Sequence, residues 1–215
     1  MDRIAIVGSG GFAREILTLI NDINKQSKKY EVVGFVGPDM NQSIHGFPVI
    51  GTDAEINKTT EPISLVLAVG EPNLKEKIKS KYTNPLVTFP TLIHPSVIIG
   101  DSESVRIGHG CIICAGCILT TDIALHDFVT LNLQCTVGHD TVINDYASFM
   151  PSVNISGEVV VGKGVYVGTG AKIINRLEIG ENTIVGAGAV VAKSLPANCT
   201  VVGVPAKPIK FHKYE

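Results

Sequence analysis

From Ile107 onward, one residue in six is apolar without a slip. The series runs Ile107, Ile113, Leu119, Leu125, Leu131, Val137, Ile143, Phe149 and on to Val191, fifteen consecutive positions. With 45% of the chain hydrophobic, chance gives such a run at roughly six in a million for a chosen phase, so the period is structural. The residue two places earlier is small or apolar throughout, from Val105 and Cys111 to Ala189. Glycine follows the large apolar residue at 108, 138, 162, 168, 180 and 186. An α-helix smears a six-residue period around its circumference, whereas six is three steps of a strand. Each hexad therefore reads as a short strand and a turn with one large side chain pointing inward, the glycine supplying freedom for the turn. Three hexads close a triangular coil, and fifteen give about five coils stacked as a solenoid.

Residues 3–90 follow another rhythm. "RIAIVGSGGFAREILTLINDI" is a buried strand, a glycine loop and an amphipathic helix; "EVVGFV" and "ISLVLAVG" are further strands; Pro72 opens another helix. Alternating strand and helix implies a parallel α/β unit. Gly8, Gly10 and Ala13 satisfy GxGxx[G/A] between strand and helix, where backbone N–H groups and a helix N-terminus can hold phosphate. The stretch is one half of a dinucleotide fold and suits a mononucleotide-sized ligand.

The net charge of −2 supplies no basic field for nucleic acid. No apolar run approaches the roughly 20 residues of a membrane helix, and the start resembles no secretory leader, so the expected compartment is the cytoplasm and no membrane insertion is expected. Cys111, Cys114 and Cys117 have metal-like spacing, but Cys111, Cys117 and Cys135 share the small inward phase and read as core filler; no metal is expected.

"TVGHDTVIND" contains the residues of chemical interest. Val137 is inward and Gly138 is at the turn, so His139 faces outward from the dry interior. An imidazole with an unperturbed pKa near ~6.5 is a usable base at neutral pH. Adjacent side chains diverge on a straight strand, so pairing with Asp140 needs a bend, which Gly138 offers. His126 in "ALHDF" is a reserve candidate. The outward residue before each inward one is large and apolar in seven of fifteen hexads, among them Ile112, Ile118, Val160 and Tyr166, which suggests self-association.

Taken together, "VGSGGFAREI", "FVGPD", "LAVGEPNLKEKI", "LNLQCTVGHDTVIND", the hexads and "VVGVPAKPI" resemble the hexapeptide-repeat sugar acetyltransferases of the sialic acid O-acetyltransferase (NeuD-like) family, which includes UDP-4-amino-sugar N-acetyltransferases. The resemblance implies an N-terminal Rossmann-like half domain followed by a left-handed parallel β-helix, assembled as a homotrimer. It implies a nucleotide-sugar-binding domain over 1–92, an acyltransferase domain over 93–193, and a tail over 194–215 that contributes to the coenzyme A site. It implies acetyl-CoA as acyl donor and a nucleotide-linked sugar as acceptor, in bacterial surface-glycan biosynthesis. The catalytic pair falls on His139 and Asp140, and the oxyanion N–H on Gly157. Ser148, Thr169 and Ala187 fall on the coenzyme path. Gly10, Gly11, Phe12, Gly37, Asp39 and Gly70 fall around the nucleotide, and Asn132 near the sugar. Phe12 replaces a polar residue of the family, "FVGPD" replaces a strand end with adjacent aspartates, and Ser148 stands where some members have a histidine. An amine and a hydroxyl can use the same histidine, so O-acetylation of a sialic acid or another sugar hydroxyl stays open beside N-acetylation. A trimeric β-helix carbonic anhydrase needs three convergent histidines, and His109, His126 and His139 fall in mixed phases. A non-catalytic sugar-nucleotide binder or scaffold is the third alternative.

Overall fold

The computed structural model describes residues 1–212, so the last three residues of the expected tail lie outside the described residues. The chain forms two compact units, residues 1–95 and 96 onward.

The first unit holds β1 (Asp2–Val7), α1 (Gly11–Gln26), β2 (Tyr30–Val36), β3 (Ser43–Ile44), β4 (Phe47–Gly51), α2 (Asp53–Ile56), β5 (Ile63–Leu67), α3 (Pro72–Lys79) and β6 (Val87–Thr88). The sheet order is β3-β4-β2-β1-β5-β6, parallel except for the β3–β4 hairpin. The central strands read as continuous apolar runs because both faces are covered: Ile4, Ala5, Ile6 and Leu65 are fully buried. Helix α1 buries Ala13, Ile16, Leu17, Ile20 and Ile23, the three- and four-residue spacing of one helical face. The sequence pattern does not show the hairpin, because its strands are only two and five residues long and Gly46 and Pro48 break their alternation. Gly34 lies at φ 149°, and a Cβ there would come 2.5 Å from the Pro48 carbonyl oxygen.

The second unit is a left-handed parallel β-helix. Fifteen two-residue strands run from Arg106–Ile107 to Val190–Val191, one per hexad. They stack in three parallel sheets with an 18-residue step. The first sheet carries Ile112–Ile113, Thr130–Leu131, Ser148–Phe149, Tyr166–Val167 and Ile184–Val185. The second carries Ile118–Leu119, Thr136–Val137, Asn154–Ile155, Lys172–Ile173 and Val190–Val191. The third carries Arg106–Ile107 through Glu178–Ile179. Each coil donates its backbone N–H groups to the next, as in Ile118 N–H to Cys135 O and Gly138 N–H to Ile155 O, both 2.9 Å. The solenoid overruns the periodic stretch at both ends: Ile98–Ile99 pairs with Ile118–Leu119, and Cys199–Val202 joins Ile184–Val185. The inward residues are dry, with Leu119, Leu131, Phe149, Val161 and Val167 at 0% exposure. Each such aliphatic side chain contributes about 1.5–3 kcal/mol.

Two expectations need correction. The glycine after the inward residue does not supply the turn. Positive φ falls two residues later, at Asp122, Phe128, Gln134, Asp140, Tyr146, Ser152 and Glu158 (φ 53–62°). That glycine serves close approach between coils: a Cβ on Gly138 would lie 2.6 Å from the Gly157 nitrogen in the next coil. Nor does every residue preceding an inward one face solvent, since Ile112, Thr130 and Ser148 on the first sheet are buried within the chain.

Candidate active site

His139 and Asp140 form the corner that follows Thr136–Val137, between the second and third sheets. The corner is held by the Glu158 N–H donating to His139 O (2.7 Å) and the Asp140 N–H donating to Thr121 O (3.3 Å). At φ 56°, Asp140 turns left-handed, which swings its side chain to the same side as its neighbour's. His139 Nδ1 lies 2.7 Å from Asp140 Oδ2. A carboxylate only accepts, so Nδ1 carries the proton and the Nε2 lone pair is left for chemistry. The two side chains are 55% and 60% exposed, clear of the aliphatic interior.

The stacking adds partners that the linear sequence hides. One coil on, Gly157 lies beneath the ring: a Cβ there would be 2.5 Å from His139 Nε2. No acceptor among the described residues takes the Gly157 N–H. The left-handed position of this corner repeats as Asp122, Asp140, Glu158 and Arg176, so carboxylates lie on both sides of Asp140 along the solenoid. Arg176 Nε bonds both oxygens of Glu158 (3.0 and 3.2 Å), and Thr121 Oγ1 donates to Asp122 Oδ2 (3.0 Å). The signal for this column was present in the sequence as an 18-residue step. It becomes readable only once three hexads are known to close a coil.

The reserve pair behaves differently. His126 sits one hexad position earlier than His139, and among the described residues its ring makes no bond to Asp127. Asp127 Oδ1 instead accepts the His109 N–H (2.8 Å).

Thr169 and Ala187 stack on the corner between the first and second sheets, both exposed, with a Cβ on Gly168 only 2.5 Å from the Ala187 nitrogen. Asn132 shares that corner two coils back, buried, its Oδ1 accepting the Leu133 N–H (2.7 Å). These three thus stand a full face away from His139. Ser148, expected on the coenzyme path, precedes the inward Phe149 and is buried within the chain at 0% exposure.

In the first unit the expected nucleotide residues do converge. Gly10, Gly11 and Phe12 follow β1, Gly37 and Asp39 follow β2, and Gly70 follows β5, all at the carboxyl ends of adjacent parallel strands. Helix α1 starts at Gly10 with no side-chain cap and no acidic residue in its first turn, leaving its N–H groups and positive dipole end open. Helix α3 has no such vacancy, since the Glu71 carboxylate accepts the Asn73 and Leu74 N–H groups. Asp39 Oδ1 accepts the Asn41 N–H (3.1 Å) and fixes the loop after β2.

All five cysteines are buried free thiols. Among the described residues no group of three or more His, Cys, Asp or Glu could hold a metal ion, and no helix is long and apolar enough to cross a membrane.

Family descriptions fall on both units: "PglD N-terminal domain" matches residues 3–82, and "Bacterial transferase hexapeptide (six repeats)" matches 158–193. The fold and the open His–Asp corner define a hexapeptide-repeat acyltransferase. GDP-perosamine N-acetyltransferase of Escherichia coli O157:H7 is 30% identical over 172 residues, covering 79% of this chain and 77% of that one. The structure of PerB from Caulobacter crescentus in complex with CoA and GDP-perosamine superposes with a TM-score of 0.88 at 30% identity, covering 98% of each chain. The acetyltransferase domain of PglB from Neisseria gonorrhoeae in complex with acetyl coenzyme A gives 0.88 at 30% identity, over 96% of this chain and 98% of that one. The chain belongs to the NeuD-like family of hexapeptide-repeat sugar acetyltransferases.

Proposed function

We propose that the protein transfers the acetyl group of acetyl-CoA to the amino group of a nucleotide-linked amino sugar. The observation that carries this reading is the His139–Asp140 pair, its Nε2 unbonded to Asp140 and set beside Gly157 at an open corner of the solenoid. His139 Nε2 takes a proton from the sugar amine as its nitrogen attacks the thioester carbonyl. The Gly157 N–H stabilises the oxyanion of the tetrahedral intermediate. Collapse breaks the C–S bond, and His139 returns the proton to the departing thiolate. Asp140 holds the tautomer and stabilises the transient imidazolium, as the carboxylate does in a serine-protease triad.

Support for an amine comes from the corner itself. Asp122, Asp140 and Glu158 against one arginine favour an amino sugar, which arrives as an ammonium and loses one proton to solvent before the neutral amine attacks, over the carboxylate of a sialic acid. Relatives that act on GDP-perosamine make a guanosine-diphosphate amino sugar the first substrate to try. We assign the nucleotide to residues 1–92 through Gly10, Gly11, Phe12, Gly37, Asp39 and Gly70, with the diphosphate at the open start of α1. Thr169, Ala187 and the tail from 194 take the coenzyme. We assign a homotrimer from the family resemblance; the placing of Thr169 and Ala187 on one corner and His139 on another supports a groove shared with a neighbour. Exposed Ile118, Val160 and Ile174 give such a neighbour apolar surface to cover. The setting we assign is cytoplasmic assembly of surface glycans.

The test is thiol release from acetyl-CoA with GDP- and UDP-linked 4-amino sugars and with free and CMP-linked sialic acids. Release is expected with a nucleotide amino sugar. Release with a sialic acid alone makes the protein an O-acetyltransferase, and no release with any acceptor rejects the reading.

A further inference from the structure

Gly157 occupies the same corner position as His139, one coil further on. In the other coils that position bears a side chain: Thr121, His139, Asn175 and Lys193. The backbone gives no reason for glycine at 157, because the positive φ falls on the next residue, Glu158 (59°). The reason is a neighbour. A Cβ on Gly157 would lie 2.5 Å from His139 Nε2, 2.6 Å from Cε1 and 2.8 Å from Cδ2. The imidazole fills the space into which any other residue would send its side chain, and it buries Gly157 at a corner where Ser156 and Glu158 are exposed.

We infer that Gly157 is a positioning residue: its missing side chain is the seat of the His139 ring. This rests on the functional reading above and adds a second duty to Gly157, separate from its N–H. The seat lets the ring lie along the corner with Nδ1 on Asp140 and Nε2 beside the amide that faces the oxyanion, so base and oxyanion donor share one residue's width. Any Cβ drives the ring back by roughly 1 Å to reach ordinary contact distance. Such a retreat strains the Asp140 bond and moves Nε2 away from the attacking nitrogen.

Gly157→Ala separates the two duties, because alanine keeps the N–H and fills the seat. A misplacement of this size lowers kcat by roughly 10²-fold. KM for both substrates is expected to stay within about threefold, since the ring acts in the transition state. The discriminating measurement is the same substitution in a His139→Ala background, where the ring is gone. There it is expected to leave Tm unchanged, whereas in the wild-type background it lowers Tm together with kcat. Gly157→Ala with kcat within about twofold of wild type overturns the seat, and so does an equal loss in both backgrounds, which places the effect in the backbone. If His139→Ala itself keeps near-normal turnover, the functional reading fails. The coupling of Tm between positions 139 and 157 still reads the seat without any activity.

Discussion

The two units place their candidate sites by opposite logic. In the solenoid every coil repeats the last, and each touches only its neighbours, so position along the axis carries little distinction. What distinguishes the His139 corner is a local departure: a histidine where the next coil has glycine, with a left-handed aspartate beside it. In the α/β unit no single residue stands out. The candidate site exists because β1, β2 and β5 are neighbours and end on the same side, gathering Gly10, Asp39 and Gly70 from segments up to 60 residues apart. Chemistry is set by residue identity in the one and by topology in the other.

That contrast can be broken or sharpened. The largest effect is expected from His139→Ala, which lowers kcat by ~10²–10⁴ while nucleotide-sugar binding and Tm hold; Asp140→Asn loses less, because it orients and does not transfer the proton. Steady-state kinetics with a binding titration checks this, and a fall in nucleotide affinity would mean that the two units do not divide the work. Phe149→Ala, at a fully buried inward position, costs about 3–5 kcal/mol in denaturant unfolding. The damage is expected to spread to the coils on either side and to leave the hydrogen-exchange protection of β1 and β5 intact. Asp39→Ala tests the topological site: KM for the nucleotide sugar rises roughly tenfold, the weight of a lost hydrogen bond to a charged group, with kcat little changed. The smallest effect concerns α2, which adjoins the end of β4. The Thr52 N–H and hydroxyl hold the Glu55 carboxyl below its ordinary 4.5. A depressed folded-state pKa contributes stability that is present above the unfolded value and fades as pH falls through the folded one. Glu55→Gln is therefore expected to lower stability slightly at neutral pH and to flatten the acid limb of unfolding below about pH 4.5, measured by urea titration.

The sequence exposed much of this. The hexads were legible because burial selects one large aliphatic in six regardless of context, and all fifteen recur as strands. The His139–Asp140 pair was legible because its members are adjacent. Other parts were hidden for definite reasons. Gly138 was read as the bend when the bend is Asp140 itself, because glycine signals both turns and close approach and the sequence does not say which. Ser148 is expected on the coenzyme path by resemblance, and its burial at 0% exposure is a property of the fold that the sequence does not show. The β3–β4 hairpin is hidden because its strands are short and Pro48 sits in one of them.

By itself, then, the sequence determined the period, the inward set and the adjacency of His139 and Asp140, all properties of residues close together in the chain. Three hexads are the simplest closed coil that the sequence offers, and only the tertiary structure decided that the coil does close at 18 residues. That closure lays Gly157 under the imidazole, sets Asp122 and Glu158 on either side of Asp140, and puts Thr169 and Ala187 on a different corner. The physical reason is that contacts between coils depend on how many strands complete a turn, and a six-residue period is compatible with more than one answer.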